Sequence, residues 1–110
     1  MKQYVIDELR PEDHEKIKSY LDEHFGPADM GDIYWIPVDP DLYDEKQLSH
    51  GECRPFYFTI HLSSMSLIAE LLVRTKSRIR CDCIKYATNE QFFWLICFVD
   101  AILERLEIIS

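Results

Sequence analysis

Ser66-Leu67-Ile68-Ala69-Glu70-Leu71-Leu72-Val73-Arg74 is the stretch on which the fold turns. With a period of two it places Leu67, Ala69, Leu71 and Val73 on one face and Glu70 and Arg74 on the other, as a half-buried strand does. With a period of 3.6 it gathers Leu67, Ile68, Leu71 and Leu72, and its Ala, Glu and Leu have high helix propensity. The strand reading is preferred, because Ser63–Ser66 and Thr75–Ser77 are short enough to be hairpin turns, although neither contains glycine. A helix here would instead give the order β-α-β-β-α-β plus a C-terminal helix, a ferredoxin-like arrangement.

The flanks are clearer. Before it, Phe56-Tyr57-Phe58-Thr59-Ile60-His61-Leu62 alternates Phe56, Phe58, Ile60 and Leu62 with Tyr57, Thr59 and His61, a strand pattern. After it, the segment Arg78–Tyr86 reads as a strand with Ile79, Cys81 and Cys83 facing one way and Arg78, Arg80 and Asp82 the other. Thr88 and Gln91 then form a capping box that opens a helix over 89–107. That helix is apolar nearly all round through Ile102, so it requires cover on more than one side, from the sheet and the first helix or from a second subunit.

Towards the N-terminus, residues 3–9 read as a first strand. Arg10-Pro11-Glu12-Asp13 starts a helix, with Pro where a missing N–H costs nothing and carboxylates in the first turn. His14, Ile17, Leu21 and Phe25 recur at helical spacing with Tyr20 and His24 beside them, and Gly26-Pro27 ends the helix, giving 11–25. Residues 33–38 read as a strand at an edge or ending at Pro37. Residues 39–54 show no clear period and read as a long irregular segment. The expectation is one α+β domain over 1–110. It would be a two-layer sandwich of a mostly antiparallel sheet of four or five strands, with two helices (11–25 and 89–107) on one face.

The 110 residues are 47% hydrophobic, ample for a packed core. The net charge is −8, which disfavours binding to a phosphate backbone. The acidity is local: residues 1–54 hold 14 Asp/Glu and 6 Lys/Arg, and residues 55–110 hold 6 of each. The opening residues lack a signal-peptide pattern, and Phe92–Val99 falls well short of the roughly 20 apolar residues of a membrane span. A cytoplasmic location without a membrane partner is the expectation, with the four cysteines as free thiols or metal ligands.

Two constellations stand out. His50-x-x-Cys53 and Cys81-x-Cys83 offer one imidazole and three thiolates, a donor set for tetrahedral zinc; only the upstream pair has the usual two-residue gap. The competing reading makes the cysteines small core residues. Arg74, Lys76, Arg78 and Arg80 form a basic run suited to an anion or an acidic partner, against a role as solvated sheet charges. Asp39-x-Asp41-x-x-Asp44 fails as a calcium loop, because its fifth, sixth and twelfth positions are Tyr43, Asp44 and His50. Tyr34, Trp35 and Tyr43 could make this acidic region a contact surface.

Cys53 and His50 are the nearest thing to a nucleophile and base, but no nucleophile elbow, P-loop or dinucleotide fingerprint is present. These absences lean away from an enzyme. The expected role is a small acidic protein-interaction or regulatory domain that self-associates, with no cofactor required. The alternative is a metal-binding module (His50, Cys53, Cys81, Cys83), with zinc as the metal, or an anion-binding one (Arg74, Arg78, Arg80).

Overall fold

A computed structural model describes residues 2–28, 32–76 and 81–108. In chain order its elements are β1 (Gln3–Ile6), α1 (Pro11–Phe25), β2 (Ile33–Pro37), a 3-10 turn (Pro40–Leu42), α2 (Glu45–Ser49), a second 3-10 turn (Gly51–Cys53), β3 (Phe56–Leu62), β4 (Leu67–Glu70), β5 (Leu72–Thr75), β6 (Lys85–Tyr86) and α3 (Asn89–Arg105). The architecture is α+β, an open antiparallel sheet of six strands with three α-helices among the described residues. None of these helices is long and apolar enough to cross a membrane.

Strand β3 is the axis of the sheet. Along one edge it pairs with β2, from Ile33↔His61 to Pro37↔Tyr57. Along the other it pairs first with β4 (Leu62↔Leu67 to Ile60↔Ala69) and then with β5 (Tyr57↔Arg74, Phe56↔Thr75). Between those two ladders the β4–β5 side carries two residues more than β3, a bulge centred on Leu71. Because the excess is even, side-chain parity survives: Leu67, Ala69, Val73 and Thr75 all point inward and are buried.

The outer edge of this bent row is shared, by β1 alongside β4 and by β6 alongside β5. Leu71 joins the two, donating its N–H to the Lys2 carbonyl and accepting from the Ala87 N–H. The six strands therefore fall into four rows.

One face of the sheet carries the core. Phe56, Phe58, Ile60 and Leu62 of β3 and Tyr34 and Ile36 of β2 lie buried with Ile17 and Leu21 of α1 and Leu95, Val99, Ile102 and Leu103 of α3. A chain of rings crosses the layers: Phe58 stacks on Trp94, Trp94 on Phe98, and Phe98 meets Phe25 edge-on. Two hydroxyls fasten helices to strands, Tyr34 donating to Asp22 and Tyr4 to Asp100, at 2.6 and 2.7 Å. Both phenols are held protonated well above their usual range. Burial leads for Tyr34, and the Asp100 bond leads for Tyr4, which is pushed to about 12. On the opposite face Trp35 and Tyr57 meet edge-on at 5.6 Å beside the exposed His61.

The two-layer reading and its two helices stand, and several boundaries change. Segment 66–74 is strand, so the ferredoxin-like alternative falls. The turn at Ser63–Ser66 closes without glycine because the Ser63 hydroxyl accepts from the Ser66 N–H and donates to the Ser66 carbonyl. The first strand stops at Ile6, ahead of Glu8, whose φ is 56°. Residues 39–54 are not irregular: they hold two 3-10 turns and α2. The proposed strand 78–86 shrinks to Lys85–Tyr86, preceded by a turn at 82–83, and residues 78–80 lie outside the described residues. Helix α3 ends at Arg105, two residues early. It leans on the sheet through Trp94 and on α1 through Phe98, and Phe93 stays 67% exposed.

Candidate metal centre

The centre is assembled from two short segments that lie at one end of the sheet. Asp44 caps α2 through a reciprocal box, its carboxylate accepting from the Gln47 N–H and Gln47 Oε1 accepting from the Asp44 N–H. Helix α2 runs straight into the 3-10 turn, where the Cys53 N–H donates to the His50 carbonyl at 2.9 Å. That turn sets His50 and Cys53 on one side. The Thr75 hydroxyl, from β5, donates to the Cys53 carbonyl and ties the turn to the sheet.

Gln91, fully buried in the first turn of α3, anchors the same segment from beneath. Its amide donates at 2.8 Å both to the Leu42 carbonyl and to Gln47 Oε1. On the second segment, the turn before β6 presents Cys81 and Cys83, and the Ile84 N–H closes it on the Cys81 carbonyl. Lys85 then bonds Asp44 at 2.6 Å, fixing one segment against the other. Asp44 is held below the usual carboxylate range; its burial opposes this, and Lys85 and the α2 backbone N–H groups outweigh it.

His50 Nδ1 lies 3.2 Å from Cys81 Sγ and 4.0 Å from Cys53 Sγ, and the two sulfurs are 3.9 Å apart. With Cys83 included, all four donor atoms lie within 4.8 Å of one another. Tetrahedral zinc with Zn–S bonds of about 2.3 Å and a Zn–N bond of about 2.0 Å requires sulfur–sulfur edges of about 3.8 Å and sulfur–nitrogen edges of about 3.5 Å. The two sulfur–nitrogen distances bracket the second value, and the Cys53–Cys81 sulfur distance lies close to the first. Cys53 and Cys83 are fully buried, Cys81 and His50 are partly open, and Cys97 stands apart, exposed on α3.

No protein-family model, curated protein or solved structure matches the chain. The chemistry of the centre therefore rests on its own residues.

The thiols are inequivalent. Cys81 is pulled down to about 7, chiefly because the Cys83 backbone N–H points at its sulfur, with the Cys83, Cys53 and His50 side chains adding to this. Cys83 is pushed up to about 12, first by burial and then by the neighbouring sulfurs. Cys81 is thus the more readily ionised of the two neighbouring thiols. Outside the donors, Asp82 Oδ1 sits 3.6 Å from His50 Nε2, and Asp82 Oδ2 accepts from Lys46 Nζ at 2.9 Å. Each of that pair holds the other charged: Lys46 lowers Asp82, and Asp82 raises Lys46.

The basic run is dispersed where it is described. Arg74 is bonded to Glu70 by two nitrogens at 2.7 and 3.1 Å. Lys76 stands over the rings of Tyr57 and Trp35, at 4.9 and 5.2 Å. Arg78 and Arg80 lie outside the described residues. Tyr34 and Tyr43 are buried, and the Tyr43 hydroxyl accepts the Phe56 N–H, so neither belongs to a contact surface. Cys81 and Cys83 were expected to ligate from a strand face; they converge from a turn instead. Asp82, Lys46 and the Asp44–Lys85 pair were not singled out from the sequence. The one signal for Asp82 was its place between the two cysteines, and Asp39 and Asp44 stood in the failed calcium loop because they are caps.

Proposed function

We propose that the chain is a zinc-stabilised interaction domain, in which His50 Nδ1 and the sulfurs of Cys53, Cys81 and Cys83 hold one structural Zn²⁺. The observation that carries this is the convergence of three sulfurs and one imidazole nitrogen within 4.8 Å. Structural zinc is bound by four protein donors in a closed tetrahedron, whereas catalytic zinc keeps a position for water. A Cys₃His shell leaves no such position, so the metal's work is to hold the 45–54 and 81–86 segments together.

Elemental analysis of untagged protein purified without chelator tests this. About one zinc per chain is expected, with Cys97 alkylated readily and the other three thiols protected until the metal is stripped. Stripping lowers Tm. Absence of zinc, of iron and of any other transition metal, with Cys81 freely reactive, overturns the reading.

The interaction role is supported by α3, which leaves Phe93 67% exposed and Phe92 at the surface. Two adjacent phenylalanines on an outer helix face are costly in water and suit a partner, for which a second copy of the chain is the simplest choice. Replacing Phe93 by Glu is expected to shift a dimer to monomer in light scattering with an unchanged Tm. Wild-type protein that is monomeric at high concentration would set self-association aside.

A further inference from the structure

We infer that Asp82 is the positioning residue for the imidazole of the metal centre, an inference that rests on the four-donor reading above. The ring of His50 has its two nitrogens in different company. Nδ1 faces sulfurs at 3.2 and 4.0 Å, while Nε2 faces Asp82 Oδ1 at 3.6 Å. A metal needs the lone pair at Nδ1, so the ring proton must reside on Nε2, and a carboxylate opposite Nε2 selects that tautomer.

Asp82 is itself held. Its second oxygen accepts from Lys46 Nζ at 2.9 Å, and Lys46 belongs to α2, the element that leads into His50. The Cys81 thiol also reaches Asp82 Oδ1, at 3.8 Å. Lys46, Asp82 and His50 thus form a polar chain linking the two metal-bearing segments from outside the donor shell. The side chains of Asp82 and Lys46 are 69% and 44% exposed, so their ion pair contributes little to the stability of the fold by itself. Their effect belongs to the metal.

The test compares wild type, Asp82→Ala and Asp82→Asn as full chains. Zn²⁺ affinity is measured by competition with a chromophoric chelator. The His50 tautomer is read by long-range ¹H–¹⁵N correlation, and Tm is taken on stripped protein. Asp82→Ala is expected to weaken zinc binding about 10–100-fold, to mix the His50 tautomers in the stripped protein, and to leave its Tm unchanged. Asp82→Asn retains a carbonyl acceptor for Nε2–H and should recover part of the affinity. Equal affinities for Asp82→Ala and wild type would overturn the role of Asp82 while leaving the metal centre intact. A loss of affinity matched by a fall in the Tm of stripped protein would reduce Asp82 to a structural part. Wild type that takes up no zinc would overturn both.

Discussion

Asp13 shows how one side chain is put to two uses at a helix start. It is 2% exposed, yet it carries a charge, because the Arg10 guanidinium and the Arg10 backbone N–H both donate to it. Arg10 pulls its pKa below the usual carboxylate value, against the opposing effect of burial. A carboxyl depressed in the folded state stabilises the fold above its unfolded pKa of about 3.9, and that contribution disappears as pH falls through the folded value. Asp13→Asn should therefore be less stable than wild type at pH 7 in urea unfolding. The gap should narrow once pH drops below about 4. A constant gap across that range would assign the effect to packing rather than charge.

At the scale of elements, α3 does more than cover the sheet. Its first-turn Gln91 reaches across to Leu42 and Gln47, so the cap of α3 and the cap of α2 share one buried amide network. Gln91→Ala takes from the Leu42 carbonyl its Gln91 donor and leaves Gln47 Oε1 with the Asp44 N–H, a cost of about 1–3 kcal/mol in chemical denaturation. Because α2 carries the chain into His50 and Cys53, the same substitution should also weaken metal uptake. Unchanged uptake would show that the metal segment is set by Lys85–Asp44 and Thr75 alone.

Elements of this kind divide by how much of them one sequence can show. Helix α1 and strand β3 were legible to the residue, because Pro11 and Gly26 punctuate the first and four alternating apolar side chains mark the second. Helix α2 and its flanking 3-10 turns are too short to display a period, and their capping aspartates resembled a ligand loop. The alternation of Cys81 with Cys83 imitated a strand because their spacing serves convergence in space rather than a pleat. The four candidate donors were nameable from residue type. That a turn from one segment would face a turn from another depended on Gln91, Thr75 and Lys85, contacts separated by many residues in the chain.

For the molecule as a whole, the candidate metal centre lies at the margin of the core, where Tyr43, Cys53 and Cys83 join it. The helices bury one face of the sheet, and the end that holds 39–54 and 81–86 is built from short turns and the five-residue α2. A zinc ion held there, as proposed, would join segments on either side of β3, β4 and β5, enclosing the strand meander in a loop whose ends are His50 and Cys83. That closure has a mechanical meaning. A zinc-loaded chain pulled by its two ends would not lengthen through the enclosed strands until a metal–sulfur or metal–nitrogen bond ruptured. About 110–120 Å of contour, at roughly 3.3–3.6 Å per residue, would stay hidden behind the ion. Stretched singly between a bead and a surface, zinc-loaded molecules should release that length in a distinct late step, and chelated molecules should yield it together with the rest.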